Sequence, residues 1–336
     1  MRRYIATGFV ILAFIAAMAV SPAVAADWKP TKPVRIIVPW GAGGSTDQAI
    51  RAIAGDLEAA LGQPVVVVNQ PGGGGAIGTK SALDAPCDGY TWASGAVKDL
   101  GTYIITGTLE TKVQDWHLYF DIANATLVSV NPNAPIQDFA AFLELMKKDP
   151  KKLSVAIAGI PSAGHSAIEA IKRAGGGDYK LVSYDGGNPA VIATVAGETL
   201  ATPQLLSEQI EMIRAKKLRP LAALTPEDLV IEGYGTVPSV MKWLPKVSAQ
   251  PIYFGIWAPK CVPKDVVETM NKVWKEKITT SKALKDYAFQ RGQIVAPYYG
   301  EEAQKRAWPT IVDAAWGLQE GGKAKVSPDK VGMPRP

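Results

Sequence analysis

The stretch VRIIVPWGAGGSTDQAIR, from Val34 to Arg51, decides the fold class. Its first part is a β-branched apolar run that stops at Pro39, which is typical of a buried strand. The glycine-rich turn 40–44 then lets the main chain adopt positive φ, and Ser45, Thr46 or Asp47 can cap the helix that follows. Free N–H groups and the dipole at a helix start favour negative charge. The stretch therefore predicts an anion site lined by main chain.

The order of strand, glycine turn and helix recurs along the chain. The further segments are a helix 48–61, a strand 65–68 with a helix 76–84, a strand 153–158 with a helix 166–174, a strand 181–184 with a helix 189–196, and a helix 204–215 before a strand 218–224. Such βαβ units imply parallel sheets whose ligands bind at the carboxyl ends of the strands. We therefore expect an α/β protein.

The length and two proline-flanked segments indicate two domains. Removing an exported leader of 25 residues leaves 311 of 336 residues, which is long for one core. Leu127–Val130 and Ile252–Trp257 are extended segments next to prolines and are candidate crossings between domains. We expect residues 26–127 with 253–320 to form the first domain, residues 128–252 the second, and residues 321–336 a loose tail.

The N-terminus has the pattern of a signal peptide. Arg2 and Arg3 precede an apolar run from Ile5 to Val20, and Ala23-Val24-Ala25 is a small-residue cleavage site. We expect cleavage after about Ala25 and a periplasmic location. The alternative is an uncleaved anchor, although the apolar run is short for a membrane-spanning helix.

Charge and cysteine content limit the partners. Removing Arg2 and Arg3 from the formal net charge of +5 leaves +3, which gives no reason to expect nucleic acid as a partner. Cys87 and Cys261 are the two cysteines. Export to an oxidising compartment allows them to form a disulfide, and two separately buried thiols are the alternative.

Other motifs do not support a cofactor, a metal or catalysis. Residues 73–78, GGGAIG, match G-x-G-x-x-G, but an irregular step precedes the glycines and Asp99 is a doubtful ribose-binding acid. His165 and Glu169 lie one helical turn apart without a third metal ligand. Ser162 lacks the spacing of a nucleophile elbow. Trp40 can line a pocket or pack structurally.

Several segments together resemble the solute-binding proteins of tripartite tricarboxylate transporters, the TctC or Bug family. They are PVRIIVPWGAGGSTDQAIR (33–51), GQPVVVVNQPGGGGAIGT (62–79), DGYT (88–91), VSYDGG (182–187), KLRPLA (217–222), VPS (237–239) and GIWAPK (255–260). The resemblance implies a type II-like periplasmic binding protein with two domains, each a mainly parallel sheet flanked by helices, joined by two crossover strands. It also implies a small carboxylate ligand, delivery to a membrane permease of one large and one small subunit, no cofactor, and a monomer.

The resemblance also assigns residues to the ligand site. They are Trp40, Gly41, Ala42, Gly43, Gly44, Ser45, Asp47, Asn69, Gly75, Ala76, Gly159, Ser162, Ala163, Gly164, His165, Tyr184, Asp185, Gly186, Asn188 and Thr202. The leading interpretation is a non-enzymatic carboxylate receptor for transport. The ligand classes that fit are di- or tricarboxylates, acidic amino acids and aromatic acids. An exported sensor for the same ligands and an exported α/β hydrolase-type enzyme are the alternatives.

Overall fold

The structure is a computed structural model that describes residues 28–160, 162–247, 249 and 251–335. The expected signal peptide therefore lies outside the described residues. The strands are β1 (Val34–Val38), β2 (Val65–Asn69), β3 (Thr91–Ala96), β4 (Trp116–Asn124), β5 (Leu127–Val130), β6 (Ser154–Ile157), β7 (Lys180–Ser183), β8 (Ala201–Thr202), β9 (Arg219–Ala223), β10 (Leu229–Ile231), β11 (Gly235–Val237), β12 (Ile252–Pro259) and β13 (Ile294–Val295). The α-helices are α1 (Ser45–Leu61), α2 (Ala76–Leu83), α3 (Val97–Thr106), α4 (Phe139–Lys148), α5 (Ala163–Gly175), α6 (Gly187–Ala196), α7 (Leu206–Arg214), α8 (Lys264–Val273), α9 (Lys282–Arg291) and α10 (Gly300–Glu320).

The strands form two main sheets. The first has the order β13-β4-β12-β3-β1-β2, the second has the order β7-β6-β8-β5-β9, and β10 with β11 forms a hairpin. In the first sheet β1 is parallel to β2 and β3, while β12 is antiparallel to both its neighbours. In the second, β6 is parallel to β7 and β8, while β5 is antiparallel to its neighbours. The predicted two-domain α/β fold is confirmed, with mixed sheets rather than mainly parallel ones.

Each sheet is covered by helices on both faces. α1, α8 and α9 cover one face of the first sheet, and α3 and α10 cover the other. The second sheet has separate apolar clusters with α4 and α5 on one side and α6 and α7 on the other. Apolar side chains of the strands pack against these helices on both faces of each sheet. Burial of such apolar surface is the main favourable term in folding. In the described part of the chain, no helix has the length and apolar composition needed to cross a membrane.

The chain passes between the sheets next to both predicted crossings. β4 ends at Asn124 in the first sheet, and β5 begins at Leu127 in the second. The return leads into Ile252, where β12 enters the first sheet. The predicted segments are thus sheet strands that adjoin the crossings. Because strands β4 and β12 are antiparallel neighbours, they bring the two crossings to the same edge of the cleft.

The C-terminal segment is packed rather than loose, which corrects our prediction for residues 321–336. Lys325 and Val326 donate main-chain hydrogen bonds to the carbonyl of Ile105 in α3. Met333 is buried, and the indole of Trp316 donates to its carbonyl. The lysine, glycine and proline content of the segment gave no sign of these contacts, which depend on tertiary packing.

Candidate functional site

A cleft of about 560 Å³ lies between the two sheets. It is lined from the first sheet by Trp40, Gly41, Ala42, Gly44, Ser45, Thr46, Ala96, Asp99 and Phe254, and from the second by Ala158, Ser162, Ala163, Gly186, Gly187, Asn188, Pro189, Gln204, Leu205 and Glu208. These residues follow β1, β3, β6, β7 and β8, or lie at the end of β12 that faces Ala96. The cleft thus occupies the carboxyl ends of the parallel strands, where α/β proteins bind ligands.

The helices that begin at this cleft include α1, α5 and α6. α1 starts at Ser45, α5 at Ala163 and α6 at Gly187. The first-turn N–H groups of a helix lack partners within that helix, and the dipole places partial positive charge there. At α5 the Ser162 hydroxyl accepts from the His165 N–H at 3.2 Å and leaves the earlier N–H groups for other acceptors. The cleft can therefore hold an anion by neutral donors.

Asp47 and Asn69 shape the first glycine loop from behind. The Asp47 carboxylate accepts hydrogen bonds from the Gly43 N–H at 2.9 Å, from Arg51 at 2.9 Å and from the Asn69 amide at 3.0 Å. Asn69 also donates to the Trp40 carbonyl at 3.1 Å. Burial opposes ionisation of Asp47, but these hydrogen bonds outweigh it and lower its pKa. The side chains of Asp47 and Asn69 therefore hold the loop open without lining the cleft.

Polar contacts join the two sides of the cleft. The Asn188 amide donates to the Gly43 carbonyl at 2.5 Å. Deeper in the cleft, the hydroxyls of Ser45 and Ser207 are 2.6 Å apart, and the Asn124 amide donates to both, at 2.9 Å and 2.7 Å. Since Asn124 ends β4 beside the crossing, this cluster ties α1, α7 and the crossing together. The two sides of the cleft are therefore in direct contact in this structure.

Trp40 forms a wall between two neighbouring cavities. It lines the main cleft and a second cavity of about 490 Å³ that Gly159, Tyr184 and Asp185 also line. Gly75 makes room for the indole, since a Cβ there would lie 3.2 Å from the ring and 2.6 Å from the Tyr103 hydroxyl. Gly75 of the second loop thus leaves space for the indole of Trp40 at the cleft.

The structure divides the predicted ligand-site residues into three groups. Those lining the main cleft are Trp40, Gly41, Ala42, Gly44, Ser45, Ser162, Ala163, Gly186 and Asn188. Those lining the adjacent cavity are Gly159, Tyr184 and Asp185, together with Trp40. Those lining neither cavity are Gly43, Asp47, Asn69, Gly75, Ala76, Gly164, His165 and Thr202.

Several residues of the third group have structural roles instead. His165 is buried and faces a small cavity beside α10, and its pKa is lowered to about 4 by burial and by Lys98. The Thr202 hydroxyl donates to the Ala156 carbonyl within the second sheet. Gly164 packs against Gln204, because a Cβ there would lie 2.9 Å from its amide. The position of His165 in the first turn of α5 does not determine which way its side chain points.

Two acidic residues at the cleft were not assigned to it from the sequence. Burial raises the pKa of Asp99, although Lys98 offsets part of this effect from 2.9 Å away. Burial also raises the pKa of Glu208 to about 7. The hydrogen bonds from the N–H groups of Ser45 and Leu205 lower this pKa, but by less than burial raises it. An acid in the first turn of a helix ordinarily indicates a cap, so Glu208 gave no signal of its own. No group of three or more His, Cys, Asp or Glu side chains in the described ranges is arranged to hold a metal.

Cys87 and Cys261 form a disulfide. Cys87 precedes β3 and Cys261 follows β12, while Ala96 and Phe254, at the opposite ends of these paired strands, reach the cleft. The disulfide therefore lies at the end of the first sheet remote from the cleft. Of the two alternatives that the sequence left open, the structure contains the pairing.

Comparison with known proteins agrees with this geometry. The family model TctC, described as the tripartite tricarboxylate transporter family receptor, matches residues 49–307. The chain belongs to this family. Protein BugT of Bordetella pertussis is 29% identical over 286 residues, which cover 84% of this chain and 87% of BugT.

Solved structures show the same fold. One described as a periplasmic transporter is 30% identical, has a TM-score of 0.78, and the match covers 87% of this chain and 98% of that one. A protein of R. palustris solved with adipate is 22% identical with a TM-score of 0.78, and the match covers 87% of this chain and 98% of that one. At that identity the likeness concerns the fold alone. Together with the family match, these findings place the chain among the receptors of the tripartite tricarboxylate transporter family.

Proposed function

We propose that this TctC-family protein captures a small organic carboxylate between its two domains and delivers it to a membrane permease of one large and one small subunit. The observation that carries the proposal is the convergence of the starts of α1, α5 and α6 on one cleft closed from both sides. Among the described residues that line this cleft, none is lysine, arginine or histidine. Neutral N–H donors can bind a carboxylate and still release it.

The family, that of tricarboxylate transporter receptors, supports a carboxylate as the ligand. The signal-like N-terminus, with cleavage expected after about Ala25, and the periplasmic relatives support a periplasmic location. In this proposal the two domains move relative to each other. The first consists of residues 26–127 with 253–320, and the second consists of residues 128–252. The protein acts as a monomer without a cofactor and catalyses no reaction.

Closure of the cleft provides the basis for binding and release. The contact between Asn188 and Gly43 forms only when the two sides meet, so a ligand that bridges both sides shifts the population toward the closed form. The permease would recognise this closed form, and opening at its surface would release the ligand. Affinity thus depends on the closed fraction as well as on direct contacts.

A thermal-shift screen of the mature protein against a carboxylate panel tests the proposal. A ligand at one hundred times its Kd stabilises the protein by about 2.7 kcal/mol, which a melting curve resolves. We expect at least one di-, tri-, amino or aromatic carboxylate to raise the Tm, with titration calorimetry giving one site per chain and no product after incubation. A panel without any binder would contradict the proposed ligand class, and turnover would contradict a non-enzymatic role. Normal acute uptake in a strain lacking this protein would favour the sensor alternative.

A further inference from the structure

Resting on the proposed function, we propose that Glu208 makes this cleft selective for carboxylates that also carry a cationic nitrogen. Glu208 belongs to the first turn of α7, on the side of the second sheet, and its carboxylate projects into the cleft. Its Oε1 accepts from the N–H of Ser45, the first residue of α1, at 3.4 Å. Its Oε2 accepts from the N–H of Leu205, also at 3.4 Å. Both bonds are long, so the carboxylate keeps acceptor capacity for a stronger partner.

The Glu208 carboxylate lies directly against Gly187. A Cβ on Gly187 would lie 2.1 Å from the Glu208 carboxyl carbon and 2.1 Å from Oε2. Gly187 is the first residue of α6 and has no positive φ, so its main chain does not require glycine. A side chain at this position would displace the Glu208 carboxylate from the place it occupies in the cleft.

The charges that line the cleft are asymmetric. Asp99 is buried and forms an ion pair with the buried Lys98 at 2.9 Å. Glu208 instead receives only neutral N–H donors in the contacts that the structure gives for it. With no lysine, arginine or histidine among the described lining residues, Glu208 in its ionised form adds a negative charge to a site otherwise suited to an anion, and a cationic nitrogen beside it favours that form.

A ligand with a carboxylate and a cationic nitrogen complements both features. Its carboxylate can accept from the first N–H groups of α5, and its nitrogen can donate to Glu208, whose carboxylate lies beside Gly187 at the start of α6. A ligand that carries only carboxylates would bring like charges together in a partly desolvated cleft, where screening is weak. The geometry therefore favours amino-carboxylates over the same acids without the amino group.

Matched ligand pairs test this selectivity. L-glutamate with glutarate, L-aspartate with succinate, and 4-aminobutyrate with butyrate differ within each pair by one ammonium group. Calorimetry would compare the wild type with Glu208→Gln, which keeps the size of the side chain. The matched control is Glu211→Gln on the same helix, where Glu211 is largely exposed and pairs with Arg214.

We expect the wild type to bind the amino-bearing member of at least one pair at least tenfold more tightly. Glu208→Gln should reduce that ratio to threefold or less, and Glu211→Gln should leave it unchanged. If Glu208→Gln fails to fold, Gly187→Ala should reduce the ratio in the same way by displacing the carboxylate.

Two results would overturn the inference. In the first, an amino-free acid such as adipate binds to the wild type, but no pair shows tighter binding of its amino-bearing member. That result would contradict the selectivity and leave the proposed function intact. The other is a preference that survives in both Glu208→Gln and Gly187→Ala. If no carboxylate of the wider panel binds at all, the proposed function fails and the inference fails with it.

Discussion

The side-chain amide of Asn188 donates a hydrogen bond of 2.5 Å to the main-chain carbonyl of Gly43 and so joins the two sides of the cleft. Asn188 lies in the first turn of α6, and Gly43 lies in the glycine turn after β1. The two residues are also in contact sterically, because a Cβ on Gly43 would lie 3.2 Å from the Asn188 amide nitrogen. Closure of the cleft therefore depends on both the side chain of Asn188 and the absence of one at Gly43.

Asn188→Ala should weaken ligand binding by destabilising the closed cleft. A hydrogen bond of this kind contributes about 1 kcal/mol, so we expect affinity for a ligand identified by the carboxylate screen to fall about fivefold. The Tm without ligand should change by no more than a few degrees. Calorimetry gives the affinity, and Asn133→Ala, at an exposed position of the same domain, is the control. Equal affinities of Asn188→Ala and the wild type would show that this contact does not contribute to closure.

Gly43→Val should abolish binding and leave the protein folded. Gly43 has φ of +75°, where a β-branched residue is strained by roughly 1–3 kcal/mol, and the new side chain would press on Asn188. Gly62→Val is the matched control, since Gly62 has φ of +68° and open space around it. We expect similar losses of Tm in both variants and loss of binding in Gly43→Val alone. Unchanged affinity in Gly43→Val would contradict the placement of the site.

The sequence predicted the glycine loops that line the cleft but not the acidic side chains of Asp99 and Glu208 that line it as well. The stretch from Val34 to Arg51 sufficed for a strand, a turn and a helix start, because glycine and capping preferences are local. Glu208 was not predicted, since its position in the cleft depends on how α7 packs against α1. His165 was assigned to the cleft from the resemblance, and tertiary packing turned it toward α10 instead. Local patterns therefore placed the loops but not the direction of side chains between domains.

The strands β3 and β4 illustrate the same limit within the fold. The segment TWASGA of β3 carries no β-branched run, and β4 mixes aromatic residues with the buried Asp121. Their strand conformation is set by pairing with β1 and β12. Propensity in strands depends strongly on such neighbours, so these elements were not visible in the sequence.

Asp121 should make the protein less stable as the pH rises. Burial raises the pKa of this fully buried carboxyl from 3.8 to about 7. Between these values the folded chain holds a proton that the unfolded chain has released. The free energy of unfolding therefore falls as the pH rises through this window, by on the order of 1–3 kcal/mol from pH 5 to pH 8.

Urea denaturation at several pH values measures this dependence. Glu208, with a pKa raised to about 7, contributes in the same direction. Asp121→Asn should flatten the pH profile, whereas Asp84→Asn, at an exposed residue paired with Lys80, should not. A stability that rises from pH 5 to pH 8, or an unchanged profile in Asp121→Asn, would contradict the assignment.

Removing the disulfide should lower stability without changing ligand affinity. Cys87 and Cys261 are 174 residues apart in sequence, and closing so long a loop restricts the unfolded chain. We expect the double variant Cys87→Ser, Cys261→Ser to lose about 2–5 kcal/mol in urea denaturation, as does the wild type after reduction. Affinity should stay within twofold, because the disulfide lies at the end of β3 and β12 opposite to Ala96 and Phe254. A lower affinity in the double variant, measured where the variant is fully folded, would show that loss of the disulfide changes the geometry of the cleft.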